Sequence, residues 1–526
     1  MNTSGAAQER RLIADLIRDT GCRRRSGPLD KRISGLVCDS REAGPGMLFA
    51  ALPGSTVDGH EYAAMAAAGG CTALLVERGR EVDLNGQAGV TILESDNTRR
   101  DFGLMAAAFY GNPGQRLCLI GITGTNGKTT STYLLEAILR ESGAEPGVIG
   151  TINYRFNGRE TPASLTTPDA VHLQRLLKAM ADGGVTHVIM EMSSHAIAQE
   201  RLSGCEFEAV LFTNLSRDHL DFHGSMDNYF AVKQRAFRQL TGQGRAVVVI
   251  APAVDGRHWG RELVHFLKKD LHKTGRAVIT CGQEPGMTVQ AGKVEFSLKG
   301  IKAELILDGT ELTVLSPMHG RFNLQNILGA AGTALALGTK PAAIVRGLAN
   351  TPVVPGRLER VRAGGDEEKA PAVFVDYAHT PDALRNVLRT LRPLTSRRLV
   401  LVFGCGGDRD QGKRYLMGRI GGELADIIII TSDNSRSEEP LAIMREIGRG
   451  VRESIEPGKE FFLIEDRAQA ISQAIGGADD EDVVLISGKG HEDYQLSRNG
   501  RIFFDDRLQA RQNLALWSKK RDFGSV

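Results

Sequence analysis

Residues 121–130 read GITGTNGKTT and resemble a phosphate-binding loop with unusual spacing. The common form, G-x-x-x-x-G-K-[ST], has a glycine five positions before the second one, but here Ile122 occupies that position. The apolar run "LCLIGI" precedes the loop, and the amphipathic stretch "TTSTYLLEAILRESG" follows it and ends at Gly143. The motif requires strand, loop and helix in this order, because loop N–H groups and the helix N-terminus bind phosphate. The stretch therefore predicts a nucleotide-binding α/β domain.

This loop and two later segments predict a nucleotide and metal site. The loop residues expected to bind phosphate are Gly124, Thr125, Asn126, Gly127, Lys128, Thr129 and Thr130. Lys128 is placed to contact the β and γ phosphate oxygens, and a hydroxyl of Thr129 or Thr130 to hold Mg²⁺. The buried strand "HVIME" ends at Glu191, a carboxylate that can complete the metal shell. In "FTNLSRDHLDFHG", His219 is a candidate metal contact, and a hydrogen-bonded structural histidine is the alternative.

Four apolar runs in the last third of the chain each end in a polar cluster. They read "AVFVDYAHTPD", "LVLVFGCGGDRD", "IIIITSDNSR" and "VVLISGKGHED". Runs that are apolar at every position are typical of parallel strands covered on both faces. Ligands bind beyond the carboxyl ends of such strands. The four clusters are therefore expected to line one crevice of a Rossmann-like open sheet, although each alone could be a strand-to-helix turn.

Length and composition favour a multidomain α/β protein. At roughly 150 residues per domain, the 526 residues predict about three domains. The 65 basic and 63 acidic side chains give a net charge of +2, so the balance offers no reason to propose a nucleic acid or membrane partner. A turn cluster near Tyr110 and a proline-rich stretch near 352 predict domains at 1–100, 101–352 and 353–526. The first is a small α/β domain, the second contains the phosphate loop in a parallel sheet, and the third is Rossmann-like.

The cysteines indicate a reducing compartment. Seven cysteines are scattered along the chain without a C-x-x-C pair, which argues against a disulfide framework and a zinc site. The first twenty residues carry charges where a signal peptide needs an apolar run, and no stretch reaches the ~18 apolar residues of a membrane span. We expect a cytoplasmic protein without membrane insertion.

Several motifs together resemble the Mur ligase family of ATP-dependent amide-bond-forming enzymes. They are "TGTNGKTT", "EMSSH", "TNLSRDHLDFHG", "HGRFNLQN", "PGRLERV", "DYAHTPD" and "GGDRDQGKR", and the match runs in order from about residue 35 to 510. The resemblance accounts for the displaced glycine, because this spacing is the family's own. It implies that the first domain binds the UDP end of a precursor, the central domain ATP with Mg²⁺, and the last an amino acid.

Within the family, "DSR", "DNSR" and "GKGHE" are most similar to members that add diaminopimelate. The resemblance implies that a monomeric enzyme joins meso-diaminopimelate to UDP-N-acetylmuramoyl-L-alanyl-D-glutamate in peptidoglycan precursor synthesis. The precursor carboxylate takes the γ-phosphoryl group of ATP to form an acyl phosphate, which the amine then attacks. Mg²⁺ and Lys128 can neutralise the charge of that transfer.

The resemblance also implies a set of binding residues. These are Ser40, Ser55, Thr56 and Val57 for the uridine nucleotide; Thr166, Thr167, Ser193, Gln199 and Arg201 for the muramoyl-dipeptide; Asn323, Asn326, Arg357 and Asp376 for ATP; and Arg409, Asp433, Asn434, Ser435, Arg436, Gly488 and Glu492 for the amino acid. By the same match Lys233 is the lysine that family members carbamylate, so that the adduct helps to bind Mg²⁺. Spacing alone would make it a surface lysine in a salt bridge.

Two features depart from the family pattern. The amino-acid motif is usually DNPR, and Ser435 here replaces the proline, which restores an N–H and frees a backbone torsion. We therefore expect a more mobile loop that keeps its charged end, Arg436. The stretch 251–315 is assigned only to strands and loops of the central domain.

Other functions remain open from the sequence. The alternatives within the family are a ligase for L-lysine or another amino acid, disfavoured by Arg436, and a folylpolyglutamate synthase, disfavoured by the N-terminal domain with "DSR". A nucleotide-dependent switch protein would have the phosphate loop but no need for a crevice built for a second ligand.

Overall fold

The computed structural model describes residues 10–54, 57–82, 84, 87, 89–271, 278–363 and 370–524. The chain divides into two compact units. The first comprises Met1–Gln290, Leu307–Gly309 and Leu328–Gly347, and the second comprises Ala291–Ile306, Thr310–Ile327 and Leu348–Val526. Each unit is built on α/β sheets, as the apolar runs predict.

A small sheet opens the first unit. Its elements are β1 (Arg11–Leu12), α1 (Ile13–Leu16), β2 (Arg23–Ser26), β3 (Arg32–Ile33), β4 (Gly35–Val37), β5 (Met47–Ala50), α2 (Ala63–Ala68), β6 (Ala73–Glu77), β7 (Thr91–Ser95) and α3 (Thr98–Phe109). The strand order is β2-β7-β6-β5-β4, parallel except for β2. Phe102 and Met105 of α3 pack in the core of this sheet, and the expected domain boundary at residue 100 falls inside that helix.

A larger parallel sheet contains the phosphate loop. Its elements are β8 (Cys118–Thr123), α4 (Lys128–Glu141), β9 (Pro146–Ile149), β10 (Asn153–Phe156), β11 (Arg159–Pro162), α5 (Ala170–Asp182), β12 (His187–Glu191), α6 (Ser194–Ala198), β13 (Phe207–Phe212), α7 (Leu220–His223), α8 (Met226–Arg235), β14 (Leu240–Val249), α9 (Trp259–Leu271) and β15 (Val278–Gly282). The order is β11-β10-β9-β12-β8-β13-β14-β15, parallel from β9 to β15. The predicted strand, loop and helix around residue 121 are confirmed.

Helix α9 is absent from the sequence assignment of 251–315, which allowed only strands and loops. Trp259, Leu263 and Leu267 recur at helical spacing and are all buried against the parallel sheet. Val264 and Phe266 also pack against this core, so the helix is amphipathic, and the Lys and Gly content of the stretch obscures its apolar stripe. Three strands of the same stretch follow, β16 (Val289–Ser297), β17 (Gly300–Leu307) and β18 (Thr310–Ser316), and then α10 (Arg321–Ala336) and α11 (Pro341–Ala349).

The last part of the second unit is the expected open sheet. Its elements are β19 (Glu359–Val361), β20 (Ala372–Asp376), α12 (Pro381–Leu391), β21 (Leu399–Phe403), α13 (Gly412–Leu424), β22 (Ile427–Ile430), α14 (Pro440–Ser454), β23 (Glu460–Leu463), α15 (Arg467–Gly476), β24 (Val483–Ser487), β25 (Tyr494–Ser497), β26 (Gly500–Phe503) and α16 (Asp506–Gly524). The order is β19-β20-β24-β21-β22-β23, and the strands from β20 to β23 are parallel. The prediction that the four polar clusters follow parallel strands is confirmed.

Candidate active site

The phosphate loop is held in an open, glycine-dependent conformation between β8 and α4. Gly124 and Gly127 have φ of 147° and 86°, a region that favours glycine. A Cβ on Gly124 would also collide with the Thr213 hydroxyl. The Nζ of Lys128 donates to the carbonyls of Gly124 and Thr125, each at 2.9 Å. The ammonium therefore lies at the mouth of the loop, where phosphate oxygens would bind.

A second segment, 213–216, braces this loop from the neighbouring strand β13. The Asn126 N–H donates to Asn214 Oδ1 at 3.0 Å, and the Asn214 side chain donates back to the Asn126 carbonyl at 3.1 Å. The Thr125 hydroxyl donates to the Ser216 carbonyl and lies 3.2 Å from the Tyr229 hydroxyl. The sequence analysis did not single out Asn214 or Tyr229. The only signal for Asn214 was the position of "TNLS" at the end of an apolar strand, and Tyr229 on α8 had none.

Glu191 lies at the end of β12, whose register pairs it with Ile122 at the start of the loop. It is 1% exposed, and its Oε2 accepts from the Thr129 hydroxyl at 3.2 Å and the Thr151 hydroxyl at 2.9 Å. Its Oε1 accepts from the Thr151 N–H. Of the two candidate hydroxyls, that of Thr129 is the one with a described bond to Glu191. The sequence analysis missed Thr151.

The pair of Glu191 and Thr129 fits Mg²⁺. Both offer hard oxygen ligands, and Mg²⁺ usually takes one or two protein oxygens and completes its shell with water and substrate phosphates. Within the described segments, no group of three or more His, Cys, Asp or Glu side chains could hold a metal ion by itself. The structure thus offers a partial ligand set, as expected for a metal shared with a nucleotide.

His219 belongs to a cluster of aromatic side chains that follows β13. Its ring lies 5.0 Å from that of His195 and 6.3 Å from that of Tyr229, and its Nε2 lies 3.6 Å from Asp218 Oδ2. Its backbone is left-handed, with φ of 53°. The side chain is about half exposed, so the imidazole is accessible to a ligand.

His223 is the buried member of that cluster. It stacks on Tyr229 with ring centroids 4.8 Å apart, and its Nε2 lies 3.0 Å from the Ser194 hydroxyl. Burial, with the nearby His195, lowers the pKa of His223 to about 4. It is therefore neutral at pH 7 and serves as a hydrogen-bonded structural histidine.

Lys233 is 1% exposed, so it is not the surface lysine that spacing suggests. Its Nζ lies 4.5 Å from the centroid of the Tyr229 ring. Burial, together with the positive charge of Lys128, lowers the pKa of Lys233 well below its usual range. Such an environment favours the neutral, nucleophilic amine.

Four of the five residues expected at the muramoyl-dipeptide are joined by hydrogen bonds, and Thr166 is linked to Glu191 through Thr151. The Thr166 hydroxyl lies 3.1 Å from the Thr151 hydroxyl. The Thr167 hydroxyl donates to the Glu191 carbonyl and accepts from the Ser193 N–H. Arg201 donates to the Thr167 carbonyl at 3.0 Å and to Gln199 Oε1 at 2.7 Å. This group therefore adjoins the Glu191 end of β12.

Two of the four residues expected at the uridine nucleotide lie in described segments. Ser40 begins a 3₁₀ turn, Ser40–Glu42, which is capped by Asp39. Val57 is 49% exposed, so its side chain is accessible to a ligand. Ser55 and Thr56 lie outside the described residues.

Three of the four residues expected at ATP in the second unit, Asn323, Asn326 and Asp376, are buried and hydrogen-bonded. The Asn323 amide donates to the His319 carbonyl, and the Asn326 amide donates to Asn323 Oδ1, both at 2.9 Å. Asp376 ends β20 and accepts from the N–H groups of Leu358 and Ala378. Burial raises the pKa of Asp376 despite these bonds.

Arg357 stands at the edge of an open cavity in the same unit. Its guanidinium lies 4.5 Å over the ring of Tyr377. It lines a cavity of about 490 Å³ together with His319 and Glu359. A stacked arginine of this kind presents a fixed cation to an anionic or aromatic ligand.

The loop that contains Asn434, Ser435 and Arg436 is part of the predicted crevice. The Asn434 carbonyl accepts from the Gly407 N–H, and the Arg436 Nη1 donates to the Gly407 carbonyl at 2.8 Å, so the ends of β21 and β22 are joined. Arg436 has φ of 51°, and Ser435 is buried. A strained, well-braced arginine is typical of a binding loop.

Glu492, Gly488 and Asp433 lie close together in the same crevice. Glu492 Oε2 accepts from the Asn434 amide at 2.8 Å. A Cβ on Gly488 would come within 2.8 Å of Asp433 Oδ2, so this position needs glycine. The Asp433 side chain is 11% exposed, and the nearby Arg467 and Lys489 lower its pKa although desolvation raises it. Arg409, by contrast, is exposed and has a described bond only to the adjacent Asp408 carbonyl.

Sequence reasoning missed two buried cations under this loop. Arg467 makes a bidentate pair with Asp506, both bonds at 2.7 Å, and donates to the carbonyls of Ser432 and Ser487. Lys489 is fully buried and contacts Asn434 and Glu492. Lys489 belongs to the motif "GKGHE", so the sequence offered a signal for it. No sequence motif marks Arg467.

The fold and site together define a multidomain α/β enzyme with a phosphate-binding loop in one parallel sheet and a polar crevice at the strand ends of another. Three family descriptions match the chain: Mur ligase family, catalytic domain, at residues 32–110; Mur ligase middle domain at 122–334; and Mur ligase, glutamate ligase domain, at 356–490. The chain belongs to the Mur ligase family. The three α/β regions, the central parallel sheet and the C-terminal open sheet are those of the family.

Named relatives cover nearly the whole chain. The UDP-N-acetylmuramoyl-L-alanyl-D-glutamate--2,6-diaminopimelate ligase of Geobacter metallireducens is 42% identical over 94% of this chain and 96% of its own length. The ligase of the same name from Geobacillus kaustophilus is 43% identical over 91% and 94%. A solved structure of a ligase with that name is 30% identical, with a TM-score of 0.70, over 96% of this chain and 99% of its own. A Mycobacterium tuberculosis folylpolyglutamate synthase complexed with ADP, 20% identical over 74% of this chain and 91% of its own, shares the fold with a TM-score of 0.58.

Membrane insertion was not expected from the sequence. Among the helices of the described segments, none has both the length and the apolar character needed to cross a bilayer.

Proposed function

We propose that this chain uses ATP to join meso-diaminopimelate to a free carboxylate of UDP-N-acetylmuramoyl-L-alanyl-D-glutamate. The observation that carries the proposal is the crevice loop in which Arg436 and Glu492 offer opposite charges from neighbouring segments. Arg436 is held by the Gly407 carbonyl and Glu492 by the Asn434 amide. Diaminopimelate carries a carboxylate and an ammonium on its distal carbon, and this pair of charges is complementary to both. The names of the relatives, over nearly their full length, support the same reaction.

In the first step a precursor carboxylate oxygen bonds to the γ-phosphorus of ATP, and the bond to the β,γ-bridging oxygen breaks to release ADP. Lys128 supplies positive charge at the loop mouth, where charge accumulates on the phosphoryl oxygens. Glu191 and Thr129 are the residues that would hold Mg²⁺, which acts as a Lewis acid toward the phosphates when bound. His219 is an accessible second candidate ligand.

Lys233 is proposed to carry a carbamate. Its buried, neutral amine can attack CO₂, which forms an N–C bond and releases one proton, and the product is an anion in place of a neutral amine. A buried anion close to the loop would counter the positive charge of Lys128, whose field reaches Lys233. The burial of Lys233 and the family resemblance support this assignment.

The precursor is proposed to bind through the group from Thr166 to Arg201. Arg201 is fixed by Gln199 and the Thr167 carbonyl, so its cation is oriented before substrate arrives. We assign the uridine nucleotide to the first sheet, at Ser40 and Val57. The domain limits 1–100, 101–352 and 353–526 remain proposals, as do the ATP contacts of Asn323, Asn326, Arg357 and Asp376.

In the second step the amine of diaminopimelate attacks the acyl carbon, loses a proton and expels inorganic phosphate, which leaves an amide. The test is a phosphate-release assay with ATP, the UDP-muramoyl-dipeptide and diaminopimelate, together with mass measurement of the product. We expect release only when all three are present, and a product heavier by one diaminopimelate minus water. Release without the amino acid, or faster release with L-lysine, would contradict the proposal.

A further inference from the structure

The fully buried ammonium of Lys489 lies at the centre of the amino-acid crevice. Its side chain is 0% exposed, and its Nζ lies 3.3 Å from Asn434 Oδ1 and 3.4 Å from Glu492 Oε2. It also lies 5.3 Å from the ring centroid of Tyr494. A buried lysine requires compensation, so a position with two acceptors and an aromatic ring indicates a specific role.

The backbone around Lys489 is shaped to bury it. Gly488 and Gly490 have φ of 118° and 55°, and a Cβ on Gly490 would come within 2.6 Å of Tyr377 Cβ. The chain can therefore turn tightly on both sides of the lysine and direct it under the loop, which a residue with a side chain would not permit.

Lys489 selects the orientation of the Asn434 amide. Asn434 Oδ1 accepts from Lys489 Nζ and from the Leu496 N–H at 2.9 Å, so this end of the amide is the oxygen. The amide nitrogen must then face Glu492, to whose Oε2 it donates at 2.8 Å. Without the lysine, the Leu496 N–H and the Glu492 carboxylate would still oppose a flipped amide, but one of the two donors that fix Oδ1 would be lost.

The same ammonium holds the Glu492 carboxylate. Oε2 receives both Lys489 Nζ and the Asn434 amide, which leaves Oε1 as the oxygen without a described partner. The positive charge of Lys489 also lowers the pKa of a second carboxylate in the same loop, Asp433, and so helps to keep it ionised. The carboxylate is therefore held in place before an ammonium group arrives.

We propose that Lys489 is a positioning residue for amino-acid recognition: it acts through Glu492 and Asn434 and does not touch the substrate. The inference rests on the proposed function, because it takes Glu492 as the group that receives the distal ammonium of the incoming amino acid. It assigns to Lys489 an effect on binding of the amino acid and none on transfer of the phosphoryl group.

The first test is Lys489→Met, which keeps the buried chain and removes the charge. We expect the KM for diaminopimelate to rise about tenfold to a hundredfold, equivalent to ~1.4 to ~2.8 kcal/mol, with kcat and the KM values for ATP and precursor within about twofold of the parent. Lys489→Arg should recover part of the loss. Lys459→Met is the matched control, because Lys459 is a mostly buried lysine that directly precedes β23 of the same sheet and donates to the Gly422 and Glu423 carbonyls. It should leave the KM for diaminopimelate unchanged.

The second test is a double-mutant cycle with Glu492→Gln. If Lys489 acts through Glu492, Lys489→Met should add little to the KM of the Glu492→Gln enzyme, although it is costly in the parent. The inference would be overturned if the KM changes of the two substitutions were additive or if Lys489→Met left the KM for diaminopimelate unchanged. An equal rise in the KM values for ATP, precursor and diaminopimelate would also overturn it. If Lys489→Met does not fold by circular dichroism, Lys489→Gln replaces it in the same cycle. Failure of the parent enzyme to use diaminopimelate would instead refute the proposed function, and the cycle would be run with the amino acid that it uses.

Discussion

Replacing Arg436 by alanine tests how the crevice distinguishes diaminopimelate from lysine. The two described hydrogen bonds of Arg436 both use Nη1, toward the Gly407 and Asn434 carbonyls. The Nε and Nη2 groups remain for a forked interaction with a carboxylate. Lysine lacks the distal carboxylate, so the fork contributes to diaminopimelate binding alone.

The expected magnitude follows from that contact. A hydrogen bond to a charged group contributes about 1.5 to 3 kcal/mol. At ~1.4 kcal/mol per factor of ten, loss of the fork should lower kcat/KM for diaminopimelate about tenfold to 150-fold. Activity with lysine should be unchanged or higher, because a cation that opposes its bare ammonium end is removed. The ratio of the two activities should therefore fall at least tenfold.

The assay is phosphate release with each amino acid varied separately, on the parent, Arg436→Ala and Arg436→Lys. Arg436→Lys keeps the charge without the fork and should lie between the other two. Both replacements keep a Cβ at φ of 51°, so backbone strain is the same in all three enzymes. An equal fall with both amino acids would refute the reasoning, because Arg436 would then act by bracing the Gly407 segment.

Four further outcomes are expected. Lys128→Ala should abolish ATP-dependent turnover in a protein that still folds, since it removes the positive charge at the mouth of the phosphate loop; unchanged activity would remove the nucleotide assignment. Lys233→Ala should lose most activity, and added acetate should restore part of it in this variant alone; parent-like turnover would exclude the carbamate. Thr129→Ala should raise the Mg²⁺ concentration needed for half-maximal activity more than Thr130→Ala, because the Thr129 hydroxyl contacts Glu191; the reverse order would reassign the ligand. Because burial lowers the pKa of His223 from 6.5 to about 4, the folded protein binds fewer protons than the unfolded chain between those values. The parent should lose stability as pH falls through that window, and melting temperatures of His223→Gln should depend less on pH; identical slopes would contradict the burial argument.

The site shows what a local pattern can predict. The phosphate loop, its strand and its helix are contiguous, so glycines at 124 and 127 and the flanking apolar patterns sufficed to place them. The four apolar runs likewise predicted parallel strands, and parallel strands bring their carboxyl ends to one edge. Glu191 was found for the same reason, because it is the last residue of such a strand.

Contacts between residues far apart in the chain could not be predicted from local sequence patterns. Asn214 braces Asn126 across 88 residues, and Arg467 pairs with Asp506 across 39. No periodicity or spacing reports such a pair, because strand order and register decide which side chains meet. Helix α9 was missed because the Lys and Gly residues of the stretch around it obscure its apolar stripe.

The sequence by itself determined the class of fold, the family and the positions of the loops, since these depend on residues close together in the chain. The tertiary structure decided the environments. From their spacing alone, Lys233 and Lys489 would be ordinary surface lysines. Both are buried, Lys233 beside Tyr229 and Lys489 between Asn434 and Glu492. Burial and the neighbouring charges set the pKa of an amine and its hydrogen-bond partners, and both arise only when separate strands and helices pack together.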